Sequence, residues 1–132
     1  MPGSILVVED DPTLVRTITH NLSARGYATR GAMSVAAATE AIADTRPALV
    51  LLDIDLPDGS GWDVVRALRA GGRDDVAVIV MSALQPNPRL CREFHAVGVL
   101  EKPFPMESLL RLVAHATGRL TAPDPSDITG AD

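Results

Sequence analysis

Short apolar runs alternate with stretches of helical periodicity along most of the chain. "SILVVED" at 4–10 and "PALVLLD" at 47–53 are continuous apolar runs closed by acids, the pattern of strands buried on both faces. "YATRG" predicts a weaker second strand, "VAVIVMSA" a fourth and "VLEK" at 99–102 a short fifth. Helical patterns fall between them. "DPTLVRTITHNLSARG" has Asp11 as N-cap, Pro12 at the first helical position and Gly26 as its stop. "SVAAATEAIADTR" is opened by Ser34, and "GWDVVRALRAGG" carries Val64, Val65 and Leu68 on one face before Gly71 ends it. "RLCREFHAVG" at 89–98 predicts a short helix after a Pro-broken loop, and "PMESLLRLVAHATGRL" a closing helix begun by Pro105. Five strands alternating with five helices require parallel crossovers, because each returning chain must cover the sheet. The fold class is therefore α/β, a doubly wound five-stranded parallel sheet forming one domain over 1–120. The polar, Pro-bearing segment "TAPDPSDITGAD" at 121–132 is expected to be a disordered tail.

Composition narrows the function. With 132 residues, 46% of them hydrophobic, the chain can bury one good core. A net charge of -5 and the absence of any Lys/Arg cluster argue against a nucleic-acid surface. The apolar runs are far too short to span a bilayer, and "MPGSILVVEDD" lacks the basic start and long apolar segment of a signal peptide. A single cysteine, Cys91, cannot form an internal disulfide, in keeping with a reducing cytoplasm.

The chemistry lies where the strands stop. In doubly wound sheets the working crevice lies beyond the carboxyl ends of the strands. There the first strand carries Glu9 and Asp10, the third Asp53, the fourth Ser82, and the fifth Lys102 followed by Pro103. Aspartate is a poor strand former, so the "LVLLDIDLPDGSG" stretch, with Asp53 and Asp55, needs a reason. Three compete: a turn aspartate capping the loop, the D-x-D nucleophile of a phosphatase, or a phosphate-accepting aspartate beside a metal. Three carboxylates about 6 Å apart would repel by about 3 kcal/mol per pair at an effective dielectric near 20. A cation or a retained proton must therefore sit among them. Oxygen donors with no Cys or His cluster suit a hard ion such as Mg²⁺. Lysine adds a mobile positive charge and serine a donor for phosphoryl oxygens. The set suits an aspartate that attacks phosphorus.

The segments "ILVVEDD", "VLLDIDLPDGSG", "VIVMSA" and "LEKPF", in that order, resemble the receiver domains of two-component response regulators, and the likeness runs from residue 4 to about 120. It implies the flavodoxin-like (βα)5 receiver fold of the chemotaxis-regulator type, with strand order 2-1-3-4-5. It further implies that Asp53 accepts a phosphoryl group from a histidine kinase or histidine phosphotransfer protein of a bacterial cytoplasm. Asp10 and Asp53 would ligate Mg²⁺, for which Mn²⁺ can substitute. Glu9 would act mainly through a metal-bound water, and Asp55 through its backbone carbonyl. Ser82 and Lys102 would hold the phosphoryl oxygens, assisted by the Ala83 amide. On this reading the chain is a signalling phosphoacceptor acting through a downstream protein partner, and it catalyses only its own phosphorylation and dephosphorylation.

Rival readings remain. Haloacid-dehalogenase-like phosphatases share the D-x-D strand, but their metal-binding acids follow the lysine, whereas only Glu107 and tail aspartates follow Lys102 here. A pseudo-receiver, a protein-binding module with little phosphotransfer, is the second. Asp11 is expected to be only a helix cap, and Asp58, Gly59 and Gly61 to shape a turn. His20, His95 and His115 share no ligand spacing, and Cys91 reads as a small apolar residue. Ser82 and Lys102 could be a core hydroxyl and a surface amine, but their joint placement argues otherwise. The chain also departs from the family pattern. Val99 stands where many receivers carry Tyr or Phe, Leu56 replaces a common Met, and Pro86 and Pro88 precede a shortened fourth-helix region. With no output domain in the sequence, a stand-alone regulator is expected rather than a fragment.

Overall fold

Each apolar run becomes a strand of one parallel sheet in the computed structural model, which describes residues 4–118. The strands are β1 Ile5–Val8, β2 Thr29–Ala32, β3 Leu49–Asp53, β4 Ala77–Ser82 and β5 Ala96–Glu101. They lie in the order β2-β1-β3-β4-β5, all pairs parallel. The order reverses between β1 and β3.

Alternation at period two explains why the runs are apolar throughout. Leu6, Val8, Val50, Leu52, Val78 and Val80 point to one face; Ile5, Val7, Leu49, Leu51, Ile79 and Met81 point to the other. The first face is covered by α2 Val35–Thr45 and α3 Gly61–Ala70, through Ala38, Ala41, Trp62, Val64, Val65 and Leu68. The second is covered by α1 Pro12–Ala24 and α5 Met106–Ala116, through Ile18, Leu22, Leu109 and Val113. Each fully buried Leu or Ile side chain contributes about 1.5–3 kcal/mol, so a charge can enter β1, β3 or β4 only at an end.

Local chemistry fixes the helix starts. Asp11 accepts from Thr13 N at 2.9 Å and Ser34 Oγ from Ala37 N at 3.0 Å. At α3, Ser60 and Asp63 form a reciprocal capping box. Gly26 takes φ 89° past the end of α1.

Three expectations need correction or extension. The helix expected over 89–98 is confined to α4, Pro88–Glu93, and the fifth strand starts at Ala96 rather than at Val99. Backbone pairing with β4 claims these residues: Val78 pairs with Ala96, Ile79 with Gly98, and a register irregularity takes up Val97. His95, at φ 57°, makes the reversal between α4 and β5. The turn after β3 also contains a two-rung antiparallel hairpin, Asp55–Leu56 paired with Gly59–Ser60, where only turn residues were expected. The closing helix ends at Ala116, with Gly118 left-handed at φ 76°. The expected tail at 121–132 lies outside the described residues. Among the described residues no helix is long and apolar enough to cross a membrane.

Candidate functional site

The buried polar side chains of the described residues are Glu9, Asp53 and Ser82, and all three stand at the carboxyl edge of the sheet. Glu9 follows β1 directly, while Asp53 and Ser82 are the last residues of β3 and β4. Lys102 follows β5, and its backbone amide donates to the Ser82 carbonyl at 2.7 Å, which carries the β4–β5 ladder one step further and fixes where its side chain emerges. A cis Lys102–Pro103 bond then leads towards α5.

The charges interlock. Lys102 Nζ donates to Glu9 Oε1 in a very close ion pair and to Asp53 Oδ2 at 3.3 Å. Glu9, Asp10 and Asp53 each bring a carboxylate oxygen within 4.8 Å of the others. The backbone orients two of them: Asp11 N donates to Glu9 Oε2 at 3.2 Å, and Asp55 N donates to Asp53 Oδ1 at 3.2 Å. Burial pushes the Glu9 carboxyl up to about 7; the Lys102 hydrogen bond opposes the rise and the nearby Asp53 charge adds to it. Burial pulls the Lys102 amine down, but its hydrogen bond to Glu9 and the charges of Glu9 and Asp53 outweigh this and hold it above the usual lysine range.

Three carboxylates around one ammonium leave a formal excess of two negative charges. A divalent cation would balance that formal charge, and would favour the ionised form of Glu9. The donors are all oxygen, Asp10 is exposed and Asp53 is buried, so the cluster fits a hard ion that retains some of its water. Asp55 is exposed in the hairpin, its carboxylate lies outside this cluster, and its backbone amide is the donor to Asp53 Oδ1. Ser82 Oγ accepts from Leu84 N at 3.3 Å, and its own hydrogen remains available to an incoming oxygen. Beside Lys102 lies a cavity of about 470 Å³ lined by Leu14, Ala83, Pro103, Phe104 and Met106.

The neighbouring residues divide as their types imply. Asp11 caps α1. His20, His95 and His115 take no part in the acidic cluster, and Cys91 is half-buried, its thiol pushed up by burial. Gly61 is a steric requirement, since a Cβ there would lie 2.4 Å from the Asp53 carbonyl oxygen. Sequence reasoning missed the part played by Asp58. Its carboxylate accepts from Val35 N at 2.7 Å and Ala36 N at 3.0 Å, capping α2 from the tip of the Asp53 hairpin. No local signal marks a cap supplied from another loop. The capping box at Ser60 and Asp63, by contrast, was readable as S-x-x-D.

Comparison with known proteins agrees with this geometry. Residues 5–114 match the family described as the response regulator receiver domain. The transcriptional regulatory protein KdpE of Mycobacterium tuberculosis is 37% identical over 120 residues, 89% of this chain and 52% of that protein. The response regulator MprA of a Mycobacterium species is 36% identical over 126 residues, 94% of this chain and 54% of that protein. The chain thus spans about half the length of these curated relatives. The signal receiver domain of a Luxo repressor protein from Vibrio parahaemolyticus superposes with a TM-score of 0.81 at 25% identity, over 90% of this chain and 92% of that one. Sheet order, the acid-lysine pocket and these matches together establish that the chain belongs to the response regulator receiver domains of two-component systems.

Proposed function

We propose that this domain is a phosphoacceptor, phosphorylated on Asp53 by a histidine kinase or histidine phosphotransfer protein with Mg²⁺ as cofactor, and that it signals to a protein partner in the cytoplasm. The observation that carries the reading is the position of Asp53, buried at the end of β3 with one oxygen on a backbone amide and the other 3.3 Å from the Lys102 ammonium. An ionised carboxylate held this way presents a fixed nucleophile to phosphorus. As the oxygen–phosphorus bond forms, the phosphorus–nitrogen bond to the donor imidazole breaks and the histidine leaves. Negative charge spreads over the three phosphoryl oxygens. Lys102 exchanges its contact with Asp53 for one of these oxygens, and the Ser82 hydroxyl and Ala83 amide donate to the others. Glu9, Asp10, Asp53 and the Asp55 carbonyl are the groups that would hold Mg²⁺, whose positive charge stabilises the transferring group. The cavity beside Lys102 leaves the lysine side of the pocket open to the donor.

Incubation with acetyl phosphate or phosphoramidate and Mg²⁺, followed by intact mass, tests the proposal. One phosphoryl group is expected per wild-type chain, and none in Asp53→Asn or in excess chelator. A wild-type chain that stays unmodified under conditions labelling other receivers would instead be a binding module with a receiver fold.

A further inference from the structure

The fourth helix meets the core through three partly buried residues, Leu90, Cys91 and its C-cap Phe94. No residue of α4 is buried; Leu90 and Cys91 only touch the edge of the core. An open cavity of about 320 Å³, lined by Gln85, Pro86, Pro88, Cys91, Arg92 and Val99, separates the helix from β5. Val99 is 44% exposed on this side, too open to push on anything. The C-cap, Phe94, is different. Its ring stacks on Trp62 with centroids 5.8 Å apart and an interplanar angle of 25°. The Arg66 guanidinium carbon lies 5.5 Å above the same ring, and Arg69 Nη2 donates to the Phe94 carbonyl at 2.9 Å. Residues 62, 66 and 69 form one stripe along α3, so a whole helix face converges on Phe94.

The other end of that stripe is fastened to the phosphoacceptor. Gly61 N donates to the Ile54 carbonyl at 2.7 Å, and Gly61 packs so closely on Asp53 that a side chain cannot fit between them. Ser60 N donates to Asp63 Oδ2 at 3.1 Å, and Asp63 Oδ1 accepts from Arg66 Nη1 at 3.0 Å. Trp62, 6% exposed, is the next residue after Gly61. A shift of the Asp53 loop would therefore move Trp62 and Arg66 together, and with them the two side chains that contact the Phe94 ring.

We infer that Phe94, stacked on Trp62, is the coupling residue through which occupancy of Asp53 is passed to α4, so that α4 turns about its C-cap over the cavity beside β5. This rests on the phosphoacceptor reading of Asp53 and adds the route of its output.

The test uses the full chain treated with phosphoramidate and Mg²⁺, with phosphate uptake followed by intact mass, hydrogen exchange followed over residues 86–95, and emission followed at the chain's single tryptophan. Three forms are compared: wild type, Phe94→Leu, which keeps apolar bulk but removes the ring, and Phe94→Tyr, which keeps the ring. All three are expected to take up phosphate. Exchange over 86–95 should change on phosphorylation in wild type and Phe94→Tyr, and that change should be lost in Phe94→Leu. An equal response in Phe94→Leu, or loss in both variants, overturns the coupling while leaving the phosphoacceptor reading intact. The wild type alone also decides it: phosphorylation that alters exchange over 86–95 without altering Trp62 emission overturns the coupling. Absence of phosphate uptake by the wild type refutes the phosphoacceptor reading itself, and the coupling with it.

Discussion

Asp10 and Asp11 are neighbours in sequence with the same side chain, and the structure gives them different tasks. Asp10 offers an oxygen to the cluster with Glu9 and Asp53, whereas Asp11 turns away to accept from Thr13 N at 2.9 Å. Asp10→Asn should weaken Mg²⁺ binding by at least about tenfold, the low end of what a metal site loses even when an outer-shell partner is removed. Asp11→Asn should leave it nearly unchanged, because Asn caps a helix as well as Asp. A Mg²⁺ titration read by Trp62 emission makes the comparison, and equal losses would mean that the acidic run has been placed in the wrong register. This distinction was legible in the sequence, since Asp11 is followed by a proline and a helical pattern. The Glu9–Lys102 ion pair was not, because nothing within 93 residues of chain says which of two buried acids the ammonium will prefer.

At the scale of elements, caps made by adjacent residues could be read from the sequence and those made across space could not. Ser34 was visible as the N-cap of α2, but the second cap comes from Asp58, 22 and 23 residues away from the amides it holds. These backbone hydrogen bonds, to Val35 first and then Ala36, hold the Asp58 carboxyl below the ordinary aspartate range. A depressed folded-state value means that the interaction stabilises the fold above the unfolded value and is lost as pH falls through the folded one. Asp58→Ala should therefore lower the melting temperature at neutral pH, and the gap to wild type should close as the medium is acidified below that range. Melts recorded against pH decide it, and a gap that persists in acid would show that Asp58 acts by shaping the hairpin rather than by its charge. The boundary between α4 and β5 was misplaced for a related reason. "RLCREFHAVG" contains no strong turn former before its glycine, and the left-handed turn at His95 follows Phe94, whose position is set by stacking on Trp62 of α3.

For the molecule as a whole, the sheet order brings segments up to 93 residues apart into one pocket. That convergence was legible, since four of the five predicted strands ended in a residue useful to phosphoryl chemistry. The path by which the pocket speaks to a partner was not, because the replacement at Val99 says only where a ring is missing. The chain spans about half the length of the regulators KdpE and MprA, and its residues 5–114, which match the receiver-domain family, contain the pocket. The claim on which the rest depends is that Asp53, alone among four nearby acids, receives the phosphoryl group. Borohydride reduces an aspartyl phosphate to homoserine, so phosphorylation with phosphoramidate and Mg²⁺, reduction and peptide mass spectrometry would locate the acceptor directly. The account predicts reduced product at Asp53 and at no other position. Product at Glu9, Asp10 or Asp55, or none anywhere in a chain that binds Mg²⁺, would contradict it.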